Sequence, residues 1–184
     1  QADVIGIAAC QPIQIPLDDV ALTGEVLAED RQEIEKELKE AEAEFRAAFK
    51  DRSVAWRCTV TFGSLSEYIA HQARSADLII TGPDIGGGVF DTTRRVDIAD
   101  LALQAGRPVL VVPHDCEELN LQHVLVGWKG TRESRRAIAD ALPVLQKAAK
   151  VTVVQIAPDA EMSQAKQHLA DVQAWLGRHG VSAT

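Results

Sequence analysis

The sequence predicts an α/β fold built on parallel strands, and three observations carry that expectation. Short apolar runs alternate with amphipathic helical stretches along the chain, proline or glycine turns separate them, and past the middle the succession starts over. Residues 2–9 (ADVIGIAA) form a nearly continuous apolar run closed by the Gln-Pro-rich stretch 11–16, which predicts a strand buried on both faces. Thr23 sits where an N-cap belongs. Leu27, Ile34, Leu38, Ala41, Phe45 and Phe49 then recur at mostly three- and four-residue spacing and predict a long helix with one buried stripe. Glu35/Lys39 and Glu42/Arg46 place opposite charges four apart on its outer face, each pair contributing about 0.2–0.5 kcal/mol.

Residues 54–60 alternate as a strand, and Ser64-Leu-Ser-Glu67 has the spacing of a capping box for a helix through about Arg74. Residues 76–81 (ADLIIT) predict another buried strand, closed by Gly82-Pro83 and a glycine-rich loop through Gly88. A helix over 97–104 stops at Gly106, and a strand follows over 109–112. Residues 114–122 are polar and irregular and predict a linker between a first unit, 1–113, and a second, 123–184. In the second unit the pattern predicts a strand over 123–127 and a helix capped by Thr131 running to about Ala148, kinked or shortened by Pro143. A strand over 151–157 and a helix over 162–178 come next. Gly6-Ile7-Ala8 is echoed by Gln155-Ile156-Ala157, each followed by a proline-containing turn and a long helix. Those helices lead into Val54-Ala55-Trp56 and Val181-Ser182-Ala183. The chain therefore reads as a window on a duplicated unit, the first expected to lack its opening strand and helix and the second to stop as its third strand begins.

With 184 residues, 46% of them apolar and 25% charged, the chain has room for one domain and part of another with a real core. A net charge of −8, concentrated in the run 25–44, argues against a nucleic-acid partner. No apolar stretch approaches the ~20 residues of a membrane span, and no basic segment precedes an apolar one at the start, so neither a membrane partner nor an export signal is expected. Cys10, Cys58 and Cys116 are an odd set without CxxC spacing, consistent with reduced thiols and a cytoplasmic location. Cys10 and Cys58 read as buried small hydrophobes.

The segment from His123 through Gly127-Trp-Lys-Gly-Thr131 to Ala137 and on to Leu145 resembles the opening strand and helix of bacterial tandem universal stress proteins. Ala76-Asp-Leu-Ile-Ile-Thr-Gly82, with Gly106-Arg-Pro-Val-Leu-Val-Val-Pro113 downstream, resembles their fourth and fifth strands. The resemblance implies a parallel five-stranded-type sheet flanked by helices, of the adenine nucleotide α-hydrolase-like or Rossmann-like kind, in a cytoplasmic stress-response protein. It also implies pairing of units through their last strands, with a homodimer as one outcome, and in some members binding of ATP or AMP. In nucleotide-binding members an aspartate closes the first strand before a Gly-Ser pair, and a glycine loop follows the fourth strand, so that backbone N–H groups and a helix start receive phosphate.

By that resemblance the candidate nucleotide-binding residues are Gly82, Gly86 and Gly88 in the first unit and Gly130 and Thr131 in the second. Two departures count against a ligand. Arg95-Val96 stands about where the glycine loop should close, and Lys129 stands in the aspartate's place, where it loses an acceptor for the adenosine group but could meet phosphate. Arg94-Arg95 could reach an anion or simply open a solvated helix. Gly127-Trp-Lys-Gly130 lacks the Lys-Ser/Thr ending of a Walker-type loop. His114, Cys116 and His123 cluster in sequence without the spacing of a zinc site. Trp56 and Trp175 read as packing residues, and Trp128, at a strand tip, as one able to stack on a ligand. Three functions stay open: a regulator binding adenine nucleotide in the second unit, a ligand-free structural protein of the same fold, and a nucleotide-hydrolysing enzyme, for which no nucleophile, base or metal set is found.

Overall fold

The computed structural model describes residues 2–13, 23–50, 52–83 and 96–184, without the side chains of Thr23 and Glu25. Gly86, Gly88, Arg94 and Arg95 lie outside the described residues. The chain divides into two compact units, Gln1–His114 and Asp115–Thr184.

The first unit contains two parallel strand pairs. β1 (Ile5–Cys10) pairs with β2 (Ala55–Val60), in register from Ile5–Ala55 to Cys10–Val60, with α1 (Thr23–Ala48) as the crossover. Such a crossover is what parallel strands require. Along α1 the buried stripe includes Asp30 and Ile34, while Leu27, expected on it, is 43% exposed. Counting back from Ile34 in fours reaches Asp30, whose carboxylate accepts from the Ile13 backbone N–H at 3.0 Å. Arg46 pairs with Glu42 at 2.7 Å, and a second pair joins Lys36 to Glu40. At its far end α1 sets Phe45 against Trp56, with ring centroids 5.5 Å apart. Gly6 is required there, because a Cβ would stand 2.5 Å from Trp56 Cε3 and 2.9 Å from Phe45 Cε1.

α2 (Leu65–Gln72) starts at Ser64, whose hydroxyl accepts from the Glu67 N–H, and ends in a 3₁₀ turn, Ala73–Ser75. α3 (Ile98–Ala105) is capped by Asp97 and stopped by Gly106 at φ 58°, a left-handed angle that glycine adopts at little cost. α2 and α3 lie against one another, and Ala73, Ile79 and Leu101 close a small core. β3 (Ile79–Thr81) pairs in parallel with β4 (Val109–Val111). Neither β1 nor β3 is as buried as expected. In β1 only Gly6 is buried, and in β3 Ile79 joins the core of Ala73 and Leu101 whereas Ile80 is 64% exposed. Among the described residues no ladder joins the two pairs, and the parallel α/β class is seen there as two-stranded sheets.

The second unit packs more fully. β5 (Val124–Gly127) and β6 (Val151–Val154) run parallel, and Ala183 bridges to Val151 on the other edge of β6. Among the described residues β6 is thus flanked on both sides and β1 on one. The helix expected to reach Ala148 is two: α4 (Arg132–Asp140) and α5 (Leu142–Leu145), broken at Ala141 where Pro143 enters the first turn of α5. Proline supplies no N–H to the preceding turn, so the break falls where it is least costly. α6 (Met162–Arg178) returns over the sheet, and Ile138, Leu145, Val151, Val153, Val172, Leu176 and Val181 form one core. Gln155-Ile156-Ala157 lies beyond β6, with Ile156 fully exposed, so the echo of Gly6-Ile7-Ala8 is not in equivalent strand register.

Among the described residues no helix is long and apolar enough to cross a membrane. The three cysteines form no disulfide, and of the two expected to be buried Cys10 is half-buried and Cys58 exposed, on a strand whose one partner among the described residues is β1.

Candidate functional site

The site in the second unit starts where β5 ends. The Trp128 N–H donates to Val154 O at 2.8 Å, prolonging the β5–β6 ladder by one rung, and the chain then turns through Lys129 and Gly130 into α4. Gly130 has φ 73°, a conformation that carries no steric penalty without a Cβ. Thr131 is the N-cap. Its hydroxyl accepts from the Ser134 N–H at 3.3 Å, and the Ser134 hydroxyl oxygen accepts from the Thr131 N–H at 3.0 Å, a closed capping box.

Two of the donors that a helix start offers to an anion are therefore already engaged. The Glu133 carboxyl is shifted below its ordinary value, first by its own backbone N–H, then by the Thr131 hydroxyl, with Arg132 adding attraction. Arg132 Nε also donates to Glu133 Oε1 at 3.3 Å. The start of α4 thus carries its own anion. Lys129 is exposed and has no ion pair or side-chain hydrogen bond among the described residues. Arg135 reaches back to donate to Gly130 O at 2.9 Å.

Beside this turn a groove of about 420 Å³ opens between α4 and α6, within the size range of small-molecule pockets. Its lining combines Trp128 and Gly130 with apolar Ile138 and Val172 and with Trp175 of α6. His168, Asp171, Arg135 and Arg178 supply its polar part. Trp175 is steadied by His179, whose ring centroid is 4.2 Å from its own. Two nitrogens of its lining residues, Trp128 Nε1 and His168 Nδ1, are buried and have no hydrogen-bond partner among the described residues. Both lie 4.0 Å from the point where a Gly130 side chain would begin.

Comparison with family models, curated proteins and solved structures finds no match to this chain.

Of the residues expected from sequence, Gly130 lines the groove, while Thr131, next to it, serves as the cap of α4 and is not part of the lining. Gly82 belongs to the first unit, exposed at the end of β3 and 3.9 Å from His114 Cε1 when a Cβ is added. Gly86 and Gly88 lie outside the described residues. Among the described residues no three His, Cys, Asp or Glu side chains gather as a metal site, so His114, Cys116 and His123 do not form one. His123 Nε2 instead meets the Thr152 hydroxyl at 2.9 Å. Sequence reasoning missed His168, Asp171, Arg135 and Arg178 and took Trp175 as packing alone. The available signal was spacing: 168, 171, 172 and 175 follow i, i+3, i+4, i+7 on one helix face, with polar and aromatic members where a core stripe would be aliphatic.

Proposed function

We propose that this protein is a cytoplasmic stress-response regulator of the universal-stress type that binds an adenine nucleotide in its second unit and carries out no chemistry on it. The reading rests on the groove beside Gly130: two tryptophans, apolar Ile138 and Val172, two buried nitrogens without a hydrogen-bond partner among the described residues, and the charged side chains Arg135, Arg178 and Asp171 in its lining, with exposed Lys129 next to it in sequence. An aromatic base with a phosphate tail matches that mixture of flat apolar wall and positive rim. In the same reading each unit belongs to a five-stranded Rossmann-like sheet, a proposal supported by the parallel pairing of all three strand pairs and by the placement of β6 between β5 and Ala183. Homodimer formation through a terminal strand is proposed with it, supported by the edge of β4 that carries no strand partner among the described residues.

Phosphate, in this proposal, is met by Lys129 and the basic rim more than by the helix start, where Glu133 competes. The test is titration calorimetry of the whole chain with AMP and with ATP. Saturable heat with a matching rise in melting temperature is expected; no heat and no thermal shift at millimolar nucleotide would remove the ligand from the account. One observation favours a second reading, a ligand-free structural protein: the α4 start satisfies itself through Thr131, Ser134 and Glu133. The same titration separates the two.

A further inference from the structure

We infer that the outer edge of β2 in the first unit is an interaction surface for a second copy of this chain, the two β2 strands pairing antiparallel about a two-fold axis at Cys58. This surface stands apart from the nucleotide groove and from the β4 edge, and it involves the first unit alone.

The starting point is the direction of the backbone groups. The Ala55 N–H donates to Val4 O and the Thr61 N–H to Cys10 O, so the odd-numbered residues of β2 face β1. In a parallel pair the residues between them turn their N–H and C=O the other way. Trp56, Cys58 and Val60 therefore present theirs along the outer edge. Among the described residues only the Val60 carbonyl meets anything there, the Thr59 hydroxyl at 3.5 Å. Such a row is a template for another strand unless something guards it. β2 carries none of the usual guards: it is six residues long, without proline, glycine or lysine. Its one charged side chain, Arg57, is drawn away to α2, donating to Gln72 O at 3.1 Å and to Gln72 Oε1 at 3.2 Å. Within the strand pair β2 is also the open member. Ala55, Cys58 and Val60 are exposed, whereas no residue of β1 is, and both α1 and α2 lie against β1.

The residues along this edge are complementary to themselves. With the axis at Cys58, that residue meets its own copy, Trp56 stands opposite Val60 of the second copy, and Arg57 stands opposite Thr59 of the second copy. Residues directly opposite in an antiparallel pair share a face, and an aromatic against a β-branched side chain is a stabilising combination. It occurs here on either side of the axis. Charge selects the register. The other alignment that centres the pairing on the strand has its axis at Arg57, which would then stand opposite its own copy, and like charges directly opposite destabilise. The axis at Cys58 opposes no charges. One step past the strand the same register brings Val54 towards Phe62 of the second copy. Phe62 is 72% exposed and Val60 47% exposed in the single chain, so the pairing covers apolar surface that the chain itself leaves open.

The test uses the full chain, kept reduced so that no disulfide forms, with its mass read by analytical ultracentrifugation across a concentration series. A reversible step to twice the monomer mass is expected. Cys58→Lys sets like charges against each other at the axis and should raise the dimer dissociation constant at least about tenfold. Cys58→Ser keeps the edge and should change it by no more than about twofold. On β4 the Val112 N–H faces β3, donating to Thr81 O, so Val111 points outward, and Val111→Lys should leave the β2 dimer intact. Cys58 and Val111 are both exposed, and a circular dichroism melt checks the folding of each variant. Val60→Lys takes the place of a Cys58→Lys chain that fails to fold. A second readout fixes the register. In a chain carrying Cys10→Ala and Cys116→Ser, a short bifunctional thiol reagent should join Cys58 to its own copy, since the Cα atoms of a hydrogen-bonded antiparallel pair lie about 5.5 Å apart. A monomer at every concentration would overturn the inference. So would a dimer that dissociates on Val111→Lys and survives Cys58→Lys, a result that favours the β4 edge instead. A dimer whose Cys58 thiols the reagent never joins would overturn it too. None of these results touches AMP binding, which calorimetry reads separately.

Discussion

Replacing Gly130 by alanine isolates the conformational demand on which the site is built. At φ 73° an L side chain is strained, and a non-glycine residue in the left-handed region costs about 1–2 kcal/mol. Space is not the difficulty: an added Cβ would have its nearest neighbours, Trp128 Nε1 and His168 Nδ1, at 4.0 Å, which is ordinary contact. Alanine also restricts the unfolded chain, which offsets about 0.4–1 kcal/mol of the strain. The net expectation for Gly130→Ala is a loss of about 1 kcal/mol, or about 4–8 °C in melting temperature for a cooperative unit of 60–100 residues. Gly130→Asn should lose less, since asparagine enters this region more readily than alanine. Urea unfolding followed by circular dichroism at constant m-value gives the comparison. Alanine as stable as glycine, or asparagine no better than alanine, would refute the argument that backbone angle rather than space selects glycine here.

Four further expectations follow from the same structure. Leu176→Ala, at a side chain 0% exposed in the second core, should cost about 2–5 kcal/mol, whereas Leu125→Ala, at 64% exposure, should stay within about 0.5 kcal/mol, both read by urea unfolding. Gly6→Ala should cost about 1–3 kcal/mol, since a methyl 2.5 Å from Trp56 forces the indole and Phe45 apart, and the change should appear in near-ultraviolet dichroism. Thr131→Ala removes the cap of α4 and should cost about 0.5–2 kcal/mol in the same unfolding assay. Glu133 has a folded pKa below its unfolded one, so it contributes stability above the ordinary glutamate range and loses it as pH falls through the lowered value. The melting-temperature difference between wild type and Glu133→Gln should therefore shrink in acid, and the variant should bind AMP more tightly than wild type by calorimetry, because the start of α4 no longer carries its own anion.

Much of the local architecture was legible because it follows from short-range rules. Ser64 and Thr131 each cap a helix by accepting from the N–H three residues on, Gly106 ends α3 in a left-handed turn, and Pro143 divides α4 from α5. What local rules do not contain is which strand edges find partners. β1 and β3 were expected to be buried on both faces because their residues are apolar, yet burial depends on what lies over each face and along each edge. Asp30 illustrates the same limit on a helix: its period places it in the stripe, its charge argues otherwise, and the Ile13 N–H reconciles the two. The site was half legible. Gly130 and Thr131 were found by motif, while His168 and Trp175 meet Trp128 only through the return of α6 over the sheet, a contact separated by some forty residues of sequence.

Adenine-nucleotide recognition in the second unit is the claim on which the functional account depends, and the three tryptophans allow a direct measurement of it. Trp128 and Trp175 line the groove, whereas Trp56 packs on Phe45 in the first unit. Addition of AMP, followed through the indole N–H resonances, is predicted to move the signals of Trp128 and Trp175 along one saturation curve and leave Trp56 where it is. Signals that stay fixed for all three at millimolar AMP, or a response confined to Trp56, would contradict it.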